Sequence, residues 1–399
     1  MLRQATGYPV NTLDAGIRGL FGSMDTASLL GWLTAAGIRP AQLDGPPTGP
    51  GIWVLAPRLT AVIASGNLPG AAVPSLVQAL LLKSPVLAKA SGDEPVLLPL
   101  YARSVAEIAP ELKPFLAVHC WAGGNTAVED AVAATAGALV AYGGNAAIAS
   151  WRRRLRPNQR FLAYGHRISL AAISREWLTH DRAADTAARA ARDASTYDQQ
   201  GCLSPRWFFV ESGGEVSPPA WMDHLAAALA AEETTQPRRT LSAGGSAALH
   251  QFRATVEMQA LAQPDLLLRT SRRGTTWTAI LDPRCRVQAG PLDRTLLVYP
   301  VEDLADVPAL VETWRDALIS ASLGVEPGRL PGVVNALTSC GITRFTALGQ
   351  AQTPQEAGFH DGLGALAALA RYVVWEPESR SGSAEGGMAA GSDAIFQLQ

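Results

Sequence analysis

The chain has 399 residues, 48% of them hydrophobic and 17% charged, with a formal net charge of −2. That length holds two α/β domains with a substantial core, and the near-neutral charge excludes a global field drawing the protein to nucleic acid or an anionic membrane. The four cysteines, Cys120, Cys202, Cys285 and Cys340, are widely spaced with no CxxC and no Cys/His cluster, which excludes a structural zinc site or a disulfide framework and points to no metal.

From the N-terminus, Met1-Leu2-Arg3-Gln4-Ala5-Thr6 lacks the apolar core of a signal peptide, so a cytoplasmic location is expected. Between about residues 50 and 165, three units share one rhythm of apolar run, Gly/Asn turn and helical stretch. The first leads from Trp53–Ala64 through Ser65-Gly66-Asn67-Leu68-Pro69-Gly70 into a helix over Ala71–Leu82. The second leads from Phe115–Cys120 through Trp121-Ala122-Gly123-Gly124-Asn125 into Thr126–Ala136, and the third from Ala138–Tyr142 through Gly143-Gly144-Asn145 into Ala146–Arg153. Val86-Leu87-Ala88 and Phe161-Leu162-Ala163 add strands. The apolar stretch Leu68–Ala90 is broken by Pro69, Pro74, Lys83 and Pro85 and does not read as a membrane span. The locally basic run Trp151-Arg152-Arg153-Arg154-Leu155-Arg156 reads as a solvated helix end.

Repeated strand-turn-helix units predict a parallel sheet with right-handed crossovers. Ligands on such sheets bind where the strands end, which is where these turns lie. Glycine lets a phosphate approach the backbone, and the following helix offers free N–H groups and a positive dipole end. The same glycines suit a plain tight connection, and none of the turns is a GxGxxG.

After residue 166 a second α/β portion follows. Asp181–Thr196 is an Ala-rich helical run; Trp207–Glu211, Trp277–Leu281 and Thr295–Pro300 read as strands, and Pro219–Ala231 and Val307–Ser322 as helices. The low-complexity stretch Ser379–Ala394 predicts a flexible tail over 377–399. Between helix and strand stands Asp198-Gln199-Gln200-Gly201-Cys202-Leu203-Ser204-Pro205. A cysteine on a Gly-containing junction between two buried elements is where a thiolate nucleophile would be displayed. A cysteine packed as a small hydrophobe is the alternative, and the polar neighbours favour the first. The expected active site is a cleft between the two halves.

The order Asn67-Leu68-Pro69, Lys89-Ala90-Ser91, Gly143-Gly144, Gly201-Cys202 resembles the aldehyde dehydrogenase superfamily. Within it, Ala64-Ser65-Gly66-Asn67-Leu68-Pro69-Gly70 and Tyr197-Asp198-Gln199-Gln200-Gly201-Cys202-Leu203-Ser204-Pro205 look most like the long-chain acyl-CoA reductases of bacterial bioluminescence. Phe359-His360-Asp361-Gly362, followed by a helix ending in Val373-Val374-Trp375, is similar as well, so the likeness covers roughly residues 50 to 376. It implies an α/β, aldehyde dehydrogenase-like fold: two Rossmann-like domains with the active site in the cleft between them. Residues 1–165 would bind the nucleotide cofactor, open to completion by C-terminal segments, and 166–376 would bear the cysteine. By the resemblance, Cys202 matches the nucleophile and Asn67 the asparagine whose amide helps form an oxyanion hole, where each preorganised donor is worth ~3–4 kcal/mol. Lys89 matches the lysine that binds the adenosine ribose, and Gly144 the helix start facing the pyrophosphate. Ser65, Gly66, Ser91 and Gly143 belong to the same cofactor-binding turns.

Two departures sharpen the reading. Ala163-Tyr164-Gly165-His166 puts alanine where hydrolytic relatives carry the glutamate that activates water, so an acyl-enzyme would wait for hydride or for coenzyme A; His166 is a weaker candidate for that base. Lys89-Ala90-Ser91-Gly92 has no carboxylate three places after the lysine to repel a 2′-phosphate, which favours NADPH, with NADH possible because Asp93 follows directly. A free thiol with pKa about 8.5 is only ~3% thiolate at neutral pH, so the site is expected to favour the anion. The expected activity is NADPH-dependent reduction of a fatty acyl thioester, acyl-CoA or one delivered by an acyl-donating protein partner, to the aldehyde through an acyl-cysteine. Alternatives are a CoA-acylating aldehyde dehydrogenase working oxidatively on short aldehydes and a non-reducing acyl-transfer partner. A homo-oligomer is expected.

Overall fold

A computed structural model describes residues 1–46, 48–353 and 359–377. The first rhythm becomes a five-stranded parallel sheet, in spatial order Leu116–Cys120, Val86–Ala90, Thr60–Ile63, Ala138–Tyr142 and Arg160–Tyr164. In chain order this is 3-2-1-4-5, the nucleotide-binding half of a doubly wound sheet. Its inner strands are largely apolar because both faces are covered, while the edge strand Leu116–Cys120 is mostly exposed. Val62, Ala88, Val140 and Leu162 pack with Leu76, Ala79 and Leu98 on one side; Ala61, Ile63, Leu139 and Ala141 pack with Val132 and Trp151 on the other.

The run Trp53–Ala64 is two elements. Gly51–Leu55 pairs antiparallel with Arg371–Trp375, Pro57 and Arg58 interrupt, and only Thr60–Ile63 joins the sheet. Proline has no N–H to give a ladder, and the break follows from it. Val373-Val374-Trp375 therefore does not end a helix. The helix is the short Ala365–Leu369, and the β-branched and aromatic run after it forms the ribbon strand. That helix buries Ala365, Leu366 and Leu369 in the first sheet's core, beside Trp32 and Leu33 of the N-terminal helix Thr26–Ala35.

The second sheet has seven strands, in order Arg344–Ala347, Leu318–Gly324, Ile168–Ile173, Pro205–Glu211, Thr295–Val301, Thr278–Leu281 and Leu267–Thr270, all parallel except the last. Its third strand, Ile168–Ile173, had no counterpart among the expected elements. The helix expected over Val307–Ser322 stops at Val311. A 3-10 turn, Glu312–Ala317, leads into the fully buried strand Leu318–Gly324, whose serines at 320 and 322 alternate with apolar residues at the two-residue period of a strand. Along the helix Ala183–Ser195, Ala183, Ala187, Ala190, Ala191 and Ala194 share one face, and their small side chains admit Trp221, Met222, Leu225 and Leu229 of Pro218–Thr235.

No helix among the described residues is long and apolar enough to cross a membrane, and among them no group of three or more His, Cys, Asp or Glu could hold a metal ion. The tail expected over 377–399 lies, from residue 378, outside the described residues.

Candidate active site

Cys202 is displayed by an unusual piece of backbone. After the helix Ala183–Ser195, the three consecutive residues Tyr197, Asp198 and Gln199 have φ of 56°, 52° and 60°. For non-glycine residues the left-handed region costs roughly 1–2 kcal/mol each, so tertiary contacts must hold the loop. The buried Asp198 carboxylate accepts from Arg294 Nε at 2.7 Å and from the Arg239 backbone N–H at 2.9 Å. Gln199 donates to the carbonyls of Pro205 and Thr295 and accepts from the Thr295 N–H at 2.7 Å. The Cys202 carbonyl accepts a 2.6 Å bond from Ser169 Oγ, which in turn lies 2.7 Å from Ser320 Oγ on the neighbouring strand. Gly201 is closely surrounded: a Cβ there would stand 2.9 Å from Nε2 at the movable end of Gln352 and 3.2 Å from Leu68 Cδ1.

Asn67 meets this loop from the first sheet. Its Oδ1 accepts from Ser65 Oγ at 2.7 Å, and its Nδ2 donates to the Gln200 carbonyl at 2.7 Å, two residues before the cysteine. Tyr8 fastens the same junction, its hydroxyl lying 3.1 Å from the Tyr197 carbonyl and 3.4 Å from that of Asn67.

Both elements open on a cavity of about 1410 Å³. Ligand cavities usually measure about 300–1,000 Å³, so this one has room for more than one small ligand. Ser65, Gly66, Asn67, Gly143 and Gly144 all line it. They leave the ends of Thr60–Ile63 and Ala138–Tyr142, the neighbouring strands from which the chain departs in opposite directions along the sheet, and the crevice between such strands is the usual ligand position. At Gly66 a Cβ would lie 2.6 Å from both Asp93 Cβ and Ser91 Oγ. Gly144 caps the helix Asn145–Arg154 without any side-chain bond to its first N–H groups, and a Cβ on it would meet nothing within 4 Å. Helix-start N–H groups open to a cavity suit an anion such as a pyrophosphate.

The other assignments are less direct. Lys89, next to last in its strand, is buried, with Nζ 3.5 Å from the Ala90 carbonyl and 5.7 Å from the Trp121 ring centroid. Neither Lys89 nor Ser91 lines the cavity; from that turn Asp93 does. Ala163 is likewise off the wall, which Tyr164, Gly165, His166 and Arg167 line instead.

Sequence reasoning missed most of the charge. Arg167, Arg192, Arg206, Arg344 and Asp361 line the cavity with Cys202, brought there from the link between the sheets, the helix Ala183–Ser195, two strands of the second sheet and the C-terminal hairpin. No local signal marks the arginines. The thiol is not the anion expected: burial, and then the Asp361 charge, push Cys202 up to about 11, against the opposing pull of Arg344 and Arg167. The free protein holds a neutral thiol, and attack by it needs a base.

Comparison with known proteins places the chain. The family model of acyl-CoA reductase (LuxC) matches residues 52–372. The chain is 23% identical over 327 residues to the long-chain acyl-protein thioester reductase of Aliivibrio fischeri, covering 79% of this chain and 63% of that one. To the enzyme of the same name from Photobacterium phosphoreum it is 24% identical over 324 residues, covering 79% and 62%. The chain thus spans less than two thirds of these relatives' length. Succinate-semialdehyde dehydrogenase from Burkholderia pseudomallei superposes with a TM-score of 0.63 at 17% identity, over 93% of this chain and 80% of that one, so the fold is that of the aldehyde dehydrogenases.

Proposed function

The chain belongs to the acyl-CoA reductase (LuxC) family, and from that premise we propose that it reduces a long-chain acyl thioester to the aldehyde through an acyl group carried on Cys202. The observation that carries the reading is the bond from Asn67 Nδ2 to the Gln200 carbonyl, which fastens the cysteine loop to the glycine turns of the first sheet at one cavity. Attack on a thioester carbonyl develops charge on oxygen. The second hydrogen of the Asn67 amide and backbone N–H at the cysteine are suited to receive it. With alanine at 163, the strand Arg160–Tyr164 brings no carboxylate to the cavity wall to activate water against the acyl group.

The first sheet, with residues 1–165 and completed by Ala365–Leu369 and Arg371–Trp375, serves the nucleotide, and the chain from 166 to 364 bears the cysteine. A nicotinamide nucleotide fits Ser65, Gly66, Gly143 and Gly144, where close-approach glycines and the free helix start converge; when bound it supplies hydride. Leu20, Leu68, Ala71 and Pro74 line the apolar part of the cavity and suit an alkyl chain, which favours a long acyl donor, acyl-CoA or acyl-protein, over a short aldehyde.

Replacing Cys202 by alanine is expected to abolish both covalent labelling by an acyl-CoA and acyl-dependent nucleotide oxidation; full activity in that variant sinks the reading. Between nucleotides, the Lys89-Ala90-Ser91-Gly92 pattern favours NADPH, whereas Asp93 on the wall opposes a 2′-phosphate. If Asp93 faces the ribose, Asp93→Asn raises the NADPH-to-NADH ratio of kcat/KM about tenfold, a change of ~1.4 kcal/mol; an unchanged ratio removes it from the choice.

A further inference from the structure

We propose that His360 carries the proton for the chemistry at Cys202, with Asp361 and Arg167 as its positioning residues. The proposal rests on the reading of Cys202 as the acylated nucleophile.

The pair stands on a tight hairpin. Phe359–His360 pairs with Leu363–Gly364, and the two residues between, Asp361 and Gly362, have φ of 51° and 69°. Positive φ at both turn positions is the two-residue turn that Asp-Gly favours. A Cβ on Gly362 would fall 2.9 Å from Thr343 Cγ2, so the tip is packed in place. His360, Asp361 and Gly362 line the cavity that Cys202 lines.

The Asp361 side chain is only 5% exposed. Its Oδ2 accepts from Arg167 Nε at 2.9 Å. Its buried Oδ1 has no hydrogen-bond partner among the described residues, and His360 Nε2 lies 3.5 Å from it. A buried carboxylate oxygen left unpaired is costly, and it can only accept. The His360 proton therefore belongs on Nε2, which leaves Nδ1 as the proton acceptor of the neutral ring. The ring is steadied edge-on by Tyr164, centroids 4.3 Å apart, and Tyr142, 6.0 Å. Asp361 acts electrostatically on the Cys202 thiol, and Cys202 on the Tyr142 hydroxyl, so the groups share one neighbourhood.

The charges facing His360 set its protonation. Burial lowers its pKa, Asp361 opposes, and Arg167 and Arg344 lower it further, so the imidazole is neutral at pH 7. A neutral base thus shares the cavity with a neutral thiol. The other imidazole on the wall, His166, is less suited: Arg206 Nη1, always a donor, lies 3.4 Å from its Nε2 and engages that lone pair.

In acylation, His360 takes the Sγ proton as the bond from sulfur to the acyl carbon forms. The bond from that carbon to the donor sulfur breaks, and the departing thiolate takes the proton from the imidazolium. After the acyl carbon has received hydride from the nicotinamide nucleotide, its bond to Sγ breaks with the electron pair returning to sulfur. The aldehyde leaves, and a solvent proton passes through His360 to the thiolate.

Acylation needs no nucleotide, so the test omits it. Full-length protein is mixed with a long-chain acyl-CoA from about pH 5 to about pH 9, and coenzyme A release is followed with a thiol reagent, with intact mass locating the acyl group. His360→Gln, with an unchanged melting temperature, is expected to slow acylation about 10²-fold or more. The wild-type rate should level off above about pH 6.5, whereas the variant's keeps climbing with pH as thiolate alone reacts; imidazole added to His360→Ala restores part of the rate. A His360→Gln rate within about threefold of wild type with the same profile overturns the proposal, as does a larger loss in His166→Gln. Acylation that persists in Cys202→Ala overturns instead the reading on which it rests.

Discussion

At one end of the strand Pro205–Glu211, Asp198 meets Arg294 at 2.7 Å; at the other, Glu211 meets Arg329 through two bonds of 2.6 Å. Both are buried carboxylates facing guanidinium groups, yet they titrate in opposite directions. Burial pushes Asp198 up, outweighing Arg294, which also serves Glu233 and the Gln236 carbonyl. Burial pushes Glu211 up too, but the fork of Arg329 and the N–H groups of Arg175 and Leu304 outweigh it and hold the carboxyl at about 2. The far end of the strand is anchored where charge pairing is favourable. The end nearer Cys202 is held against two costs, desolvation and three left-handed residues, and the return is the placement of one thiol.

The sharpest way to break this contrast is Arg294→Met. It leaves Asp198 buried without its cation and should cost about 3–5 kcal/mol, read as a fall in melting temperature, together with loss of Cys202 acylation. Glu211→Gln should cost less, about 1.5–3 kcal/mol, and leave acylation by the folded protein within about twofold of wild type. The second substitution also fixes the pH dependence. A carboxyl whose folded pKa is depressed stabilises the fold above its unfolded value, near 4.5, and loses that contribution as pH falls toward 2. The gap in melting temperature between wild type and Glu211→Gln should therefore be constant at neutral pH and shrink below about pH 4.5; a gap that widens on acidification contradicts the assignment. Asp198, with a raised pKa, gives the opposite slope, so acid loosens the far end first. The smallest effect is expected of Gly201→Ala. Its Cβ displaces the Gln352 amide, whose 2.6 Å bond to Ser204 Oγ is worth ~1 kcal/mol, and acylation should slow a few-fold.

The contrast also marks how far the sequence could be read. The parallel strands and glycine turns of the first sheet were legible because apolar runs ended by Gly and Asn are local signals. The Cys202 segment was legible as a motif. The loop that presents the thiol was not, since Tyr197, Asp198 and Gln199 adopt backbone angles that their own chemistry disfavours, and only contacts from Arg239, Arg294 and Thr295 hold them. Arg167, Arg206 and Arg344 were invisible for a related reason: a single arginine carries no spacing, and the cavity gathers them from different strand ends. The elements misread, Val307–Ser322 and Val373-Val374-Trp375, were apolar runs whose period is ambiguous until a partner strand settles it.

The pairing of Gly51 with Trp375, and the helix Ala365–Leu369 lodged in the first sheet's core, carry a consequence for how the protein is made. During synthesis the five parallel strands emerge first, but the residues that close their core emerge only after the whole second sheet. The half that begins the chain therefore finishes folding only when the other half has left the ribosome. A chain stopped at residue 364 would keep Cys202 and most of the cavity wall, yet leave the core that holds Trp32, Val62 and Leu76 without Leu366 and Leu369. Nascent or C-terminally clipped protein should for that reason be the form most prone to capture by chaperones.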